Sequence, residues 1–227
     1  MLPDAIIIGD SHSNALKAGC DAHGLTTEIL RFSGNFWHSN HILFHAQHGI
    51  WVRGLPVQQK QILDLRERLG GLSIINAQVP VIAAMAYHLG RIVPPFGFNG
   101  HVTHAEKFAA DPKALYASQA LVDAYVEPLR DGHIRMARRM GRFGNMTLVV
   151  PPNMFAKSNY VTFADTLTRK LRAAGVRVFD PAADICPDGA SVPADLMAAD
   201  GVHGNDRYGA QVIGLMVQRG LIGRKAA

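Results

Sequence analysis

The first readable pattern in the chain is Ala5 to Ile8, four apolar residues without polar alternation, three of them β-branched. Such a run suits a strand buried on both faces of a parallel sheet, and it predicts a first, central strand. Ser13 to Ala22 reads as a helix, and Thr27 to Phe32 as a second strand. Gln58 to Leu69 repeats its apolar residues at helical spacing and stops at Gly70-Gly71, where glycine can take the left-handed backbone that closes a helix. Val79 to Ala86 predicts a third strand, and Met146 to Val150, closed by Pro151-Pro152, a fourth. Between them, Asp111-Pro112 predicts the N-cap and first turn of a long helix reaching toward Arg142, kinked or interrupted at Pro128 or Gly132. Tyr160 to Ala174 is amphipathic and ends at Gly175, ahead of a short strand over Val176 to Phe179. Pro187 to Asn205 has no sustained periodicity and predicts a loop; Tyr208 to Val217 predicts the last helix.

Strands separated by helices imply right-handed βαβ units, and hence a three-layer α/β/α, flavodoxin-like, doubly wound parallel sheet of about five strands. With 227 residues and 48% hydrophobic content the chain can bury a proper core, and 1–227 is expected to be a single α/β domain. There is no internal repeat or low-complexity segment. No stretch approaches the roughly 20 apolar residues of a membrane span, and no basic segment precedes a long apolar run at the N-terminus, so the expectation is a cytoplasmic protein without a membrane partner. Cys20 and Cys186 are too few and too isolated for a disulfide framework or a cysteine metal motif, and read as buried thiols.

The formal charge is +5, yet the basic residues are spread out except at Arg135, Arg138, Arg139 and Arg142. Those four fall at helical spacing and read as a solvated helix face rather than a nucleic-acid surface. His38, His41, His45 and His48, spaced three, four and three apart, would share one face of a helix. Imidazoles at that spacing can bind zinc, but no Glu follows the first His to act as base, and four in line span too far for one tetrahedral ion. A polar helix face or cleft lining is the reading preferred, with Phe36, Trp37 and Phe44 as a wall for a sugar or acyl group. No metal and no cofactor is called for.

The chemistry sits at the two ends of the chain. Gly9-Asp10-Ser11 follows the first strand and presents a hydroxyl where loops converge in this architecture, at the carboxyl end of a strand. Asp200-Gly201-Val202-His203 puts a carboxylate and an imidazole three residues apart, just ahead of the last helix. Together they supply a nucleophilic triad: Ser11 to attack, His203 to take its proton, and Asp200 to orient the imidazole. Ser13 is a rival nucleophile and His12 a rival base. His12 follows Ser11 on a turn where neighbours point apart, so it is expected to line the site. Asp184, Asp188 and Asp195 compete with Asp200, which alone has the short spacing to His203. Asp10 is expected to make structural hydrogen bonds around the turn.

This order of motifs resembles the SGNH hydrolases, also called GDSL-type esterases and lipases. Their Gly-Asp-Ser matches Gly9, Asp10 and Ser11; their terminal Asp-x-x-His matches Asp200 and His203; and Asn205 recurs after that His. The resemblance implies a serine esterase acting on small O-acyl esters, O-acetyl carbohydrates among them, or an acyltransferase on the same fold. It also implies an oxyanion hole built from the N–H groups of Ser11 and Gly34 and from an Asn side chain. The family's Gly-x-Asn-Asp block has no counterpart where the third strand ends in Met85-Ala86-Tyr87-His88. Gly97-Phe98-Asn99 reproduces part of it later, making Asn99 the leading candidate, with His88 or Asn35 as substitutes or an incomplete hole as the other outcomes. A non-catalytic anion-binding module would need the Gly9 turn alone, without Asp200 and His203. The oligomeric state is unreadable from this sequence.

Overall fold

A computed structural model describes residues 2–154, 159–186 and 191–223. The elements run β1 (Ala5–Gly9), α1 (Ser13–Ala22), β2 (Thr27–Arg31), α2 (Gly34–His38), β3 (Ile42–His45), β4 (Gly49–Val52), α3 (Pro56–Arg68), β5 (Val81–Ala84) and α4 (Leu89–Phe98). They continue with β6 (His101–Val102), α5 (Ala105–Ala110), β7 (Leu115–Tyr116), α6 (Gln119–Phe143), β8 (Met146–Val149), α7 (Asn159–Ala173), β9 (Val178–Phe179), α8 (Ala182–Ile185) and α9 (Asp206–Gln218). Five strands form one parallel sheet in the order β2-β1-β5-β8-β9. This is the three-layer α/β fold expected, with β1 and β5 flanking the point where the chain switches sides.

The unbroken apolar run of β1 has a direct cause. Ile6 and Ile8 enter one core with Leu65, Val126 and Phe163, while Ala5 and Ile7 enter the other with Leu16, Val212 and Ile213. Helices α3, α4, α6 and α7 cover the first face, and α1 and α9 the second. Cys20 and Cys186 are buried as free thiols.

Helices α1 and α9 meet backbone to backbone. A Cβ on Gly209 would lie 1.7 Å from the Ala15 carbonyl oxygen, and one on Gly19 would lie 2.2 Å from that of Gly209. The start of α1, which follows Ser11, is thereby locked beside α9, which follows His203.

Three expectations are corrected. The long helix starts at Gln119, not at Asp111, and passes through Pro128 without interruption. Ser118 caps it, its hydroxyl accepting from the Leu121 N–H at 3.3 Å. Asp111 instead accepts from the Lys113 N–H at 2.9 Å in a turn that leads Leu115 and Tyr116 into a two-stranded parallel ladder with His101 and Val102. The four-histidine helix does not form either. Asn40, at φ 55°, reverses the chain after α2, and Ile42 to His45 becomes one strand of an antiparallel hairpin with β4. Of the four, His38 meets Arg130, His41 meets the Arg53 carbonyl, and His45 and His48 stack with ring centroids 4.8 Å apart. The aromatic wall is core instead, with Trp37 and Phe44 buried. Arg135, Arg138, Arg139 and Arg142 are exposed on α6.

Candidate active site

Loops leaving the carboxyl ends of β1, β2, β5 and β8 converge on a cleft of about 500 Å³, lined among others by Ser11, Gly34, His88, Pro151 and His203. The β1 exit is shaped by Gly9, where a Cβ would fall 2.1 Å from the Ala84 carbonyl oxygen on the neighbouring strand. No larger residue fits. The Gly9 carbonyl accepts from the Phe32 N–H at 3.0 Å and from the Trp37 indole N–H at 2.9 Å. Asp10 makes the structural bonds anticipated: its N–H donates to Ala84 and its carboxylate accepts from the His12 N–H, each at 3.0 Å. Ser11 stands exposed at the turn, whereas the rival Ser13 is 0% exposed.

The late loop brings its histidine to that serine. Ser11 Oγ lies 2.7 Å from His203 Nε2, and His203 Nδ1 lies 2.6 Å from Asp200 Oδ2. Asp200 also closes the loop on itself, accepting from the N–H groups of Val202 at 2.9 Å and His203 at 3.0 Å. The His203 N–H, then its imidazole, then the Val202 N–H hold this carboxyl well below the usual carboxylate range. Its second oxygen is thus left for the ring. Gly201, at φ 65°, allows the tight turn. Asn205 anchors the segment from the other side: its side chain accepts from the Tyr208 N–H at 3.1 Å, capping α9, and donates to the Asp195 carbonyl at 2.8 Å. The rival carboxylates are engaged elsewhere, Asp195 with Arg207 and Asp184 with Arg219. Asp188 lies outside the described residues.

His12 packs against His203, ring centroids 4.7 Å apart, and lines the cleft as anticipated. Burial is the main cause lowering its pKa. Gly34 and Asn35, at the start of α2, also line the cleft. Asn99 does not. It ends α4, exposed to solvent, and its side chain donates to the Pro95 carbonyl at 3.0 Å. The expectation of Asn99 as a donor is corrected by this placement: a full helix separates it from the β5 exit. His88, just past that exit, lines the cleft.

Sequence reasoning missed the groups behind the cleft. Val122, Val126, Arg130, His133, Ala137 and Met140 form the buried stripe of α6, so two polar residues interrupt an otherwise apolar ladder at helical spacing. That break in the pattern was the available signal. His133 Nε2 donates to the Trp37 carbonyl at 2.7 Å, and Arg130 bonds the carbonyls of Tyr87 and His88. Among the described residues, no group of three or more His, Cys, Asp or Glu is placed to hold a metal ion, and no helix is long and apolar enough to cross a membrane.

No family model matches the sequence, and no curated protein matches it. Among solved structures, the chain is similar to the esterase EstA from Pseudoalteromonas sp., at 14% identity over 96% of this chain and 98% of that one, with a TM-score of 0.41. It is also similar to the acetyl xylan esterase AlAXEase, at 13% identity over 95% and 98% of the two chains, TM-score 0.46. A third is a GDSL-like lipase from Bacteroides thetaiotaomicron, at 10% identity over 96% and 86%, TM-score 0.40. At such identities and TM-scores the chemistry of the cleft has to be read from its own residues.

Proposed function

We propose that the chain is a serine esterase of SGNH type that hydrolyses small O-acyl esters through an acyl-enzyme. One observation carries this reading: hydroxyl, imidazole and carboxylate stand in relay, 2.7 Å and 2.6 Å apart, at the mouth of a cleft. Ser11 attacks the ester carbonyl as His203 Nε2 takes its proton; Asp200 fixes the ring with Nδ1–H toward the carboxylate and stabilises the imidazolium. The carbonyl electron pair moves onto oxygen, where the backbone N–H groups of Ser11 and Gly34 receive it. When the ester C–O bond breaks, the imidazolium protonates the departing alkoxide. Water, deprotonated by the same imidazole, then attacks the acyl carbon; as its bond to Ser11 Oγ breaks, the imidazolium returns the proton to Ser11 and the acid leaves.

The cleft, of about 500 Å³ and lined in part by the apolar Leu16, Val149, Pro151 and Pro152, has room for a small ester, an O-acetyl carbohydrate among the candidates. The test is p-nitrophenyl acetate turnover together with labelling by a fluorophosphonate probe. Wild type is expected to turn over and to label at Ser11, and Ser11→Ala to do neither. Equal turnover in both proteins, or labelling at Ser13, would sink the proposal.

A further inference from the structure

Arg130 is fully enclosed, 0% exposed, and among the described residues it bonds no carboxylate. Its Nε donates to the Tyr87 carbonyl at 3.0 Å and its Nη2 to the His88 carbonyl at 3.2 Å, while Nη1 donates to the Leu129 carbonyl at 2.8 Å and lies 3.2 Å from His38 Nδ1. Taking a guanidinium out of water is costly, and burial pulls its pKa down to about 10, so it stays charged at neutral pH. What this charge holds is two successive carbonyls of the loop leaving β5.

That loop is strained. Ala86 has φ 75° and His88 φ 47°, and neither is a glycine. Such positions are costly and persist only where the surroundings over-determine them. Here Arg130 grips the carbonyls, and the Tyr87 hydroxyl is pinned to Thr168 Oγ1 at 2.7 Å. The outcome of all this constraint is the position of one side chain.

The His88 imidazole lines the cleft with its side chain 2% exposed, and neither ring nitrogen has a hydrogen-bond partner among the described residues. Its Nε2 stops 3.7 Å from Asp10 Oδ2, beyond hydrogen-bond reach. A Cβ built on Gly34 would come 3.6 Å from its Cδ2, so this ring edge faces the backbone of Gly34. Burial first, and then the Arg130 charge, pull its pKa down to about 2, leaving a neutral ring with one N–H. Leaving a buried donor unmet is costly, and such a group in the wall of the cleft calls for a role.

We infer that His88 is a side-chain donor to the oxyanion, alongside the N–H groups of Ser11 and Gly34, and that Arg130 is the positioning residue that aims it through the Tyr87 and His88 carbonyls. The inference rests on the serine esterase reading. His88 transfers no proton: it donates a hydrogen bond as the Ser11 Oγ–C bond forms and the carbonyl pair moves to oxygen, and the contact tightens with that charge.

The decisive pair is His88→Gly and His88→Asn, assayed for kcat and KM on p-nitrophenyl acetate, with thermal unfolding as the fold control. Glycine relieves the backbone but removes the donor; Asn tolerates the left-handed backbone and keeps an N–H. His88→Gly is expected to lose about 100–1000-fold in kcat with KM little changed, and His88→Asn to recover most of that loss. Arg130→Met is expected to lower kcat in the wild-type background and to add almost nothing in His88→Gly. Wild-type kcat in His88→Gly, with Ser11 still labelled by fluorophosphonate, overturns the inference and leaves the serine reading standing. Equal losses from Arg130→Met in both backgrounds overturn the role of Arg130. Wild-type protein that neither turns over ester nor labels takes both readings down.

Discussion

At the residue scale, each member of the Ser11, His203 and Asp200 relay has a different expected cost. Asp200→Asn keeps the shape of the loop but presents an amide to Nδ1, favouring the wrong tautomer, so kcat is expected to fall by about 10³–10⁴-fold. Its Oδ1 would still accept from Val202 and His203, so the unfolding temperature should move little. Steady-state kinetics beside a melting curve check both halves, and a drop in kcat of less than tenfold would mean that Asp200 does not orient His203. These three residues were legible in the sequence because each motif is local: the chemistry types stand within a few positions of a strand exit or a helix start. His88 was harder to read. Its place depends on positive φ at Ala86 and His88, which no residue type there announces, and the family pattern drew attention to Asn99 instead. Arg130 was legible only as a break in an apolar stripe.

At the element scale, the relay depends on how α1 and α9 pack. Ser11 leads into one helix and His203 into the other, and the two backbones touch through Gly19 and Gly209, where added Cβ atoms would meet carbonyl oxygens at 2.2 Å and 1.7 Å. Backbone cannot yield as a flexible side chain can, so Gly209→Ala must part the helices. The expected loss of stability is about 1–3 kcal/mol, from overpacking. The distinguishing consequence is a fall in kcat of about 100-fold, since a shift of about 1 Å between nucleophile and base has that effect. Urea unfolding and kinetics on the same preparation test it, and unchanged kcat at reduced stability would show that the late loop holds His203 without α9. The sheet and its helices were readable because buried parallel strands and amphipathic helices leave unmistakable periods. The histidine row misled because a spacing of three, four and three fits a helix face equally well when, as here, the chain turns at Asn40 and alternates through Ile42 to His45. Asp111-Pro112 misled because an Asp that caps a helix and an Asp that closes a turn have the same local signature.

At the scale of the whole molecule, the polar scaffold under the cleft ties stability to pH. Burial is the chief cause that pulls His133 down to about 4 and His88 down to about 2, so both are neutral in the folded protein. In the unfolded chain a histidine protonates near 6.5. Between that value and the folded pKa the unfolded state binds the extra proton, so stability falls as pH falls, by up to about 1.4 kcal/mol per pH unit for each group. The His133 contribution to the slope ends near pH 4, and that of His88 persists below it. Asp200 acts in the same direction, but only at pH values low enough to protonate a free carboxyl. Urea unfolding at pH 7, 6 and 5 therefore isolates the histidines. Wild type is expected to lose stability steadily from pH 6.5 downward. His133→Gln, which keeps a side-chain N–H for the Trp37 carbonyl but cannot titrate, is expected to lose it less steeply by about 1.4 kcal/mol per unit. A flat wild-type profile over that window would mean that the two rings are charged inside the fold. The neutral donor at His88 would then be lost as well, which makes this equilibrium measurement an independent check on the oxyanion assignment.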